Sequence, residues 1–217
     1  MDIGKSFSFA FEDEDKVAKL LIGALIALIP IVNFAALGYI AELVRNVRAG
    51  QERPLPAWDR FGEYFVDGLK IIVGWLIYFV PMILLVCAFS VVTIGVSGGV
   101  NSSDVEAVMG VLSICFTCLI LPLAFIPYLA IPAILVRFAE TGEIGPLFNF
   151  RSLWEFVQQN TGGYIIVVLI SIAMLSFVAP LGIIACGIGV FFTQWWAYLV
   201  TGHLTGQLAR SNDLQVD

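Results

Sequence analysis

FVQQNTGGYIIVVLISIAMLSFVAPLGIIACGIGVFFTQWWAYLVTGHLTGQLA, residues 156–209, contains no Asp, Glu, Lys or Arg. Three further charge-free stretches, 20–41, 71–103 and 107–136, account for most of the remaining chain. Each reaches the ~20 residues that an α-helix needs to cross a hydrocarbon core ~30 Å thick. An ionised side chain at the bilayer centre costs roughly 2.5–3.5 kcal/mol on insertion scales. The pattern therefore belongs to an integral membrane protein, an all-α polytopic helix bundle.

Composition agrees. Of 217 residues, 59% are hydrophobic and 13% charged, with a mean hydropathy of +0.94, whereas a soluble domain carries about 25% charged residues. Four Cys and one His are too few for a disulfide framework. Glu12-Asp13-Glu14-Asp15 stands where a cleavable signal needs a basic start, so none is expected. The net charge of −6 sits in loops and tails, which excludes nucleic acid as a partner and argues against a polybasic lipid-seeking tail.

Hydropathy and turn signals predict five spans in one domain, at about 17–45, 68–97, 108–138, 161–179 and 182–208, with tails 1–16 and 209–217. Asp15 suits the N-cap of the first. Ser97-Gly98-Gly99-Val100-Asn101-Ser102-Ser103-Asp104 reads as a polar connector, and Ala179-Pro180-Leu181-Gly182 as a tight break. Arg45, Arg48, Arg53, Arg60, Lys70, Arg137, Arg151 and Arg210 fall on one side of this arrangement. The positive-inside rule places that side and the C-terminus in the cytoplasm, and the N-terminus outside, at the cell membrane. If residues 28–38, with Pro30 and Asn33, form a re-entrant hairpin, the N-terminus lies inside instead.

Displacing the chain by 92 residues superposes its two Arg-rich loops. Arg45 meets Arg137, Gly50 meets Gly142, Pro54-Leu55 meets Pro146-Leu147, and Glu63 meets Glu155. This suggests a parallel repeat, copies at about 17–97 and 108–189, with a final helix running to 208. Coincidence between two amphipathic loops is the competing explanation. In each loop a short interfacial helix is expected. Trp58, Phe61 and Phe65 oppose Asp59, Arg60 and Glu63 in the first; Phe150, Leu153, Trp154 and Val157 oppose Arg151, Ser152 and Glu155 in the second.

Several residues resemble a known family. Gly38-Tyr39, Leu55-Pro56-Ala57-Trp58-Asp59, Asp67-Gly68-Leu69-Lys70 and Gly206-Gln207 look like the domain of unknown function 4013, found in bacterial and archaeal multi-pass membrane proteins. The chain departs from that family's frequent second acidic residue with Arg60. The resemblance implies a membrane helix fold and supplies no catalytic residue. It is also distantly akin to the membrane domains attached to some glycerophosphodiester phosphodiesterases, which implies a lipid-related role.

Candidate chemistry is sparse. Cys115 and Cys118 share a helical face but lack further ligands and read as small hydrophobes, so no metal or cofactor is expected. Gly202 and Gly206 have the spacing of a close helix contact, within the molecule or between copies, beside a ridge of Ala197, Thr201 and Thr205. Pro30, Asn33, Pro122, Gln194 and His203 are candidates for a cavity between Pro-kinked or unwound spans. Trp58, Arg60, Glu63, Arg151, Trp154 and Glu155 are candidates for a docking surface. The pairs Glu42/Arg45, Asp67/Lys70 and Arg137/Glu140 are spaced to cap the membrane boundary. No nucleophile–base pair, phosphate loop or carboxylate pair stands out, so enzymatic activity is not expected. Two readings follow: an accessory or scaffold subunit of a membrane complex, partnered by a membrane protein or a second copy, or a passive or lipid-handling transporter.

Overall fold

The computed structural model describes residues 1–97, 103–184 and 187–216, so the centre of the 97–104 connector lies outside them. They fall into two compact units, residues 1–74 with 132–217, and residues 75–131. All regular structure among them is helical: α1 Ile3–Glu12, α2 Lys16–Leu28, α3 Phe34–Arg48, α4 Phe61–Leu76, α5 Val80–Ser97, α6 Ser103–Thr141, α7 Phe150–Gln159, α8 Thr161–Ala173, the single turn α9 Ala179–Leu181, and α10 Gly189–Val216. The helices over Trp58–Gly95, Val108–Thr141 and Thr161–Ile184 are long and apolar enough to cross a bilayer. This is a membrane protein.

In the larger unit α3 and α10 form the core. Tyr39, Leu43 and Val44 from α3 are fully buried, as are Ala197, Leu199, Val200 and Leu204 from α10. Enclosure explains why α10 tolerates His203, which is buried, since polar side chains at membrane depth belong inside the protein. Backbone approach is close where α3 crosses α4. A Cβ on Gly38 would stand 1.9 Å from the Tyr64 carbonyl oxygen, and one on Gly68 would stand 1.7 Å from that of Phe34. Only residues without a Cβ fit there.

The first expected span is corrected. Residues 17–45 are two half-length helices, α2 and α3, separated by a break at 29–33. Gly23 of α2 abuts the Trp195 ring, and Tyr39 of α3 packs 5.4 Å from the same ring. Positions on either side of the break thus lie at one level of α10, and the pair folds back as a hairpin. Pro30 at the turn lacks an N–H and cannot continue a helix without losing a bond. The N-terminal segment also lies against the C-terminal part of α10. Asp2 donates its N–H to Gln207 Oε1 at 2.5 Å, and Gln207 Nε2 donates to the Asp2 carbonyl at 2.9 Å. Arg53 pairs with Glu14, and Lys19 reaches both Asp13 (2.8 Å) and the Leu55 carbonyl (3.2 Å), so the N-terminal corner abuts the first Arg-rich loop.

Other boundaries shift too. Asp15 precedes α2 without a capping bond; Asp13 Oδ1 instead accepts from the Asp15 N–H. The break expected at 179–182 comes later. The helix continues from α8 through a wide turn at Met174–Val178 and a tight one at Gly182–Ile184, and Gly187 has φ +78° before α10 begins. Residues 58–60 form a tight helical turn leading directly into α4, so the separate interfacial helix expected in the first loop does not exist. The second loop does hold a distinct helix, α7, with the Asn149 side chain accepting from the Ser152 N–H.

The smaller unit is an antiparallel pair. Trp75 Nε1 donates to the Pro127 carbonyl at 2.8 Å, while Phe89 stacks on Phe116 at 4.0 Å, so contacts advance along one helical arm of the pair as they retreat along the other. Leu84, Val91, Ile94, Val111 and Ile114 are exposed, the surface expected of helices solvated by lipid. The third span is not unwound at its prolines. α6 is one unbroken helix through Pro122, Pro127 and Pro132.

Candidate functional site

Charged residues collect where α3, α6 and α10 end and α4 begins. The last carbonyls of α6 have no partner within their own helix. Arg45 supplies one from α3, its Nε donating to the Ala139 carbonyl at 3.1 Å and its Nη2 to that of Phe138 at 3.4 Å. Lys70 Nζ donates to the Gly142 carbonyl at 3.4 Å, and both cations stand over the Phe138 ring. Positive charge at a helix C-terminus also complements the dipole. The carboxylates are shared: Arg45 pairs with Glu42 (3.0 Å) and Asp67 (3.5 Å), and Lys70 with Asp67 (3.1 Å). Arg60 pairs with Glu42 (2.7 Å) and Glu63 (3.4 Å). Arg48 joins Glu140 (3.4 Å) to Asp213 (2.6 Å), and Arg137 completes the chain at Glu140 (2.9 Å).

Electrostatics follow the contacts. Burial alone would raise the Glu42 carboxyl, but hydrogen bonds from Arg60 and Arg45 outweigh it and hold the group below its ordinary value. The Asp213 hydrogen bond holds the Arg48 guanidinium above its ordinary value, against the smaller effect of burial.

The expected docking residues divide. Trp58 is half-buried, stacked on Tyr39 at 4.2 Å, with Nε1 donating to the Lys19 carbonyl. With Tyr64 and Trp195 it forms an aromatic cluster rather than an interfacial anchor. Arg60 and Glu63 belong to the ion-pair chain. On α7, Arg151 (88% exposed) and Glu155 pair only with each other at 2.8 Å among the described residues, and Trp154 is 62% exposed.

Each expected cavity residue has its own setting within its unit. Pro30 is exposed at the α2–α3 turn, Asn33 precedes α3, and Pro122 is exposed in the smaller unit. Gln194 Nε2 donates to the Tyr198 hydroxyl at 2.7 Å. His203 is buried, stacked on Phe9, with Nδ1 2.8 Å from Ser6 Oγ and 3.0 Å from Gln207 Nε2. These contacts seat α1 on α10. Gly202 and Gly206 face α3: a Cβ on the first would stand 2.9 Å from Ile40 Cγ2, and on the second 2.6 Å from Val47 Cβ. Cys115 and Cys118 are exposed on α6.

Two cavities lie elsewhere in the larger unit. One, about 400 Å³, opens between α1 and the first loop, with Lys5, Glu12, Glu52 and Arg53 on its walls. The other, about 170 Å³, lies between the end of α6, the inner face of α7 and the tail of α10. Sequence reasoning identified Arg137, Glu140 and Glu155 there but missed Asn212, whose Oδ1 accepts from Asn160 Nδ2 at 2.9 Å. That partner lies 52 residues away, and no local pattern marks it.

Comparison with known proteins is narrow. No curated protein and no solved structure matches the chain. The family model described as "Protein of unknown function (DUF4013)" matches residues 21–188, most of the chain, and the protein belongs to that family.

Proposed function

We propose that this protein is a non-enzymatic scaffold or accessory subunit of a membrane complex, with α7 as its docking element. The observation that carries this reading is the contrast between the loops. The first spends Trp58 and Arg60 on internal contacts, while α7 keeps Trp154, Arg151 and Glu155 exposed. Aromatic and Arg side chains are the usual anchors of protein interfaces. An apolar and charged helix face of this kind also suits the bilayer interface. The transporter reading has weaker support, because Asn33, Gln194 and His203 line neither cavity.

The sidedness we infer is simple. With α2 and α3 as a re-entrant pair, three spans and a returning α10 give an even number of crossings. Both termini then share a face with the Arg-rich loops, and all 11 Lys and Arg residues lie on it. The positive-inside rule makes that face cytoplasmic and assigns the protein to the cell membrane. We also infer a parallel repeat. Gly50 and Gly142, related by the 92-residue offset, have φ +76° and +67° just after the ends of α3 and α6, and Leu55 and Leu147 are both buried.

The test is cross-linking in native membranes followed by mass spectrometry. The double variant R151E/E155R keeps the intrahelical pair but inverts its pattern. It and Trp154→Ala are expected to lose a stoichiometric partner at least tenfold while thermal stability is unchanged. An unchanged partner in both variants would overturn α7 as the docking element.

A further inference from the structure

The 170 Å³ cavity beneath α7 has a graded wall. Ala133 and Val136 stand one turn before Arg137 and Glu140 on α6, and residues 107–136 are charge-free. Arg137 therefore marks the level at which the hydrocarbon core gives way to headgroups, with the apolar wall deeper. Opposite stands α7, with Phe156 on the wall and Ser152, Glu155 and Gln159 around it. Its other face exposes Phe150 and Trp154, aromatic residues suited to the membrane–water interface.

The charges are complementary to a zwitterion. Among the described residues, the Arg137 guanidinium makes one ion pair, Nη1 to Glu140 Oε2 at 2.9 Å. Its remaining N–H donors suit a phosphate, which guanidinium forks bind in bidentate fashion. Two carboxylates stand on the same walls, Glu140 paired with Arg48 and Arg137 and Glu155 paired with Arg151, and each keeps further acceptor lone pairs for an ammonium with N–H donors. The volume is below the ~300–1,000 Å³ of drug-sized pockets. It suits a headgroup whose acyl chains remain outside among the lipids.

We propose that this cavity is a binding site for the headgroup of a primary-amine phospholipid of the phosphatidylethanolamine class, phosphate on Arg137 and ammonium between Glu140 and Glu155. A trimethylammonium headgroup offers no N–H to the carboxylates, and a glycerol headgroup offers no cation. Glu155 is shared with the docking face of α7, whereas Trp154 is not on the cavity wall, so Trp154→Ala reads loss of a partner apart from loss of lipid.

The experiment is native mass spectrometry of the full-length protein, titrated with phosphatidylethanolamine, phosphatidylcholine and phosphatidylglycerol. Inorganic phosphate and glycerophosphoethanolamine are the soluble competitors. One equivalent of phosphatidylethanolamine is expected, at least tenfold tighter than the other two lipids and not displaced by inorganic phosphate. Arg137→Gln is expected to reduce retention about tenfold. Gln159→Trp, placed at an exposed position and filling the cavity, is expected to do the same if Arg137→Gln does not fold. Equal retention of all three lipids, displacement by inorganic phosphate, or wild-type retention in Gln159→Trp would overturn the proposal.

Discussion

Gly38 and Gly68 occupy positions where the added atom would meet backbone, which cannot rotate away. Gly38→Ala is expected to cost at least the ~1–3 kcal/mol typical of overpacking. Gly62→Ala, with nothing within 4 Å, is the control and is expected to be neutral or slightly stabilising. Unfolding in mixed detergent micelles compares the two. Glu42 makes a second residue-level prediction. Its folded value lies below the ordinary 4.5, so the unfolded chain binds that proton more readily. Its contribution is fully present above pH 4.5 and is lost as pH falls through the folded value. Thermal unfolding from pH 6 to 3.5 is expected to show a shallower acid decline in Glu42→Gln than in wild type. An identical decline would mean that Glu42 does not contribute to acid stability.

The elements differ in how legible they were. Charge-free runs disclosed the spans, because lipid excludes charge wherever a helix faces it. The same test failed at α2 and α3. Residues 20–41 are apolar along their whole length, and hydropathy does not register that Pro30 turns the chain back. Trp58 was readable as aromatic but not as the stacking partner of Tyr39, since that contact depends on how α3 and the loop pack. Arg45 illustrates the limit at a helix end. Its i,i+3 pair with Glu42 was visible, whereas its bonds to the carbonyls of α6, 93 and 94 residues away, were not. Arg45→Met removes a donor from both carbonyls, of which Phe138 keeps the Gly142 N–H at 2.8 Å, and leaves Glu42 and Asp67 without one cation. A loss of about 1–3 kcal/mol is expected, given net values of ~0.5–1.5 kcal/mol for ordinary hydrogen bonds and ~1.5–3 for charged ones. Denaturation in detergent measures it; a loss under 0.5 kcal/mol, below the ordinary hydrogen-bond range, would mean that water replaces the cap.

At the scale of the whole molecule, the proposed sidedness has a hairpin of half-length helices returning the N-terminus to the cytoplasmic face. It rests on Asp2 beside Gln207, Glu14 beside Arg53 and Lys19 beside Leu55. Fold class and the charged character of the loops are readable from residue types alone, but the fold-back at 29–33 is not, because hydropathy does not register a turn. The most direct test is protease protection of N- and C-terminal epitope tags in sealed vesicles of both orientations, with a third tag inserted near residue 100. Both terminal tags are expected to be cleaved from the cytoplasmic side, and the inserted tag from the opposite side. An N-terminal tag protected on the cytoplasmic side while the C-terminal tag is cleaved would restore an odd number of crossings and contradict the hairpin.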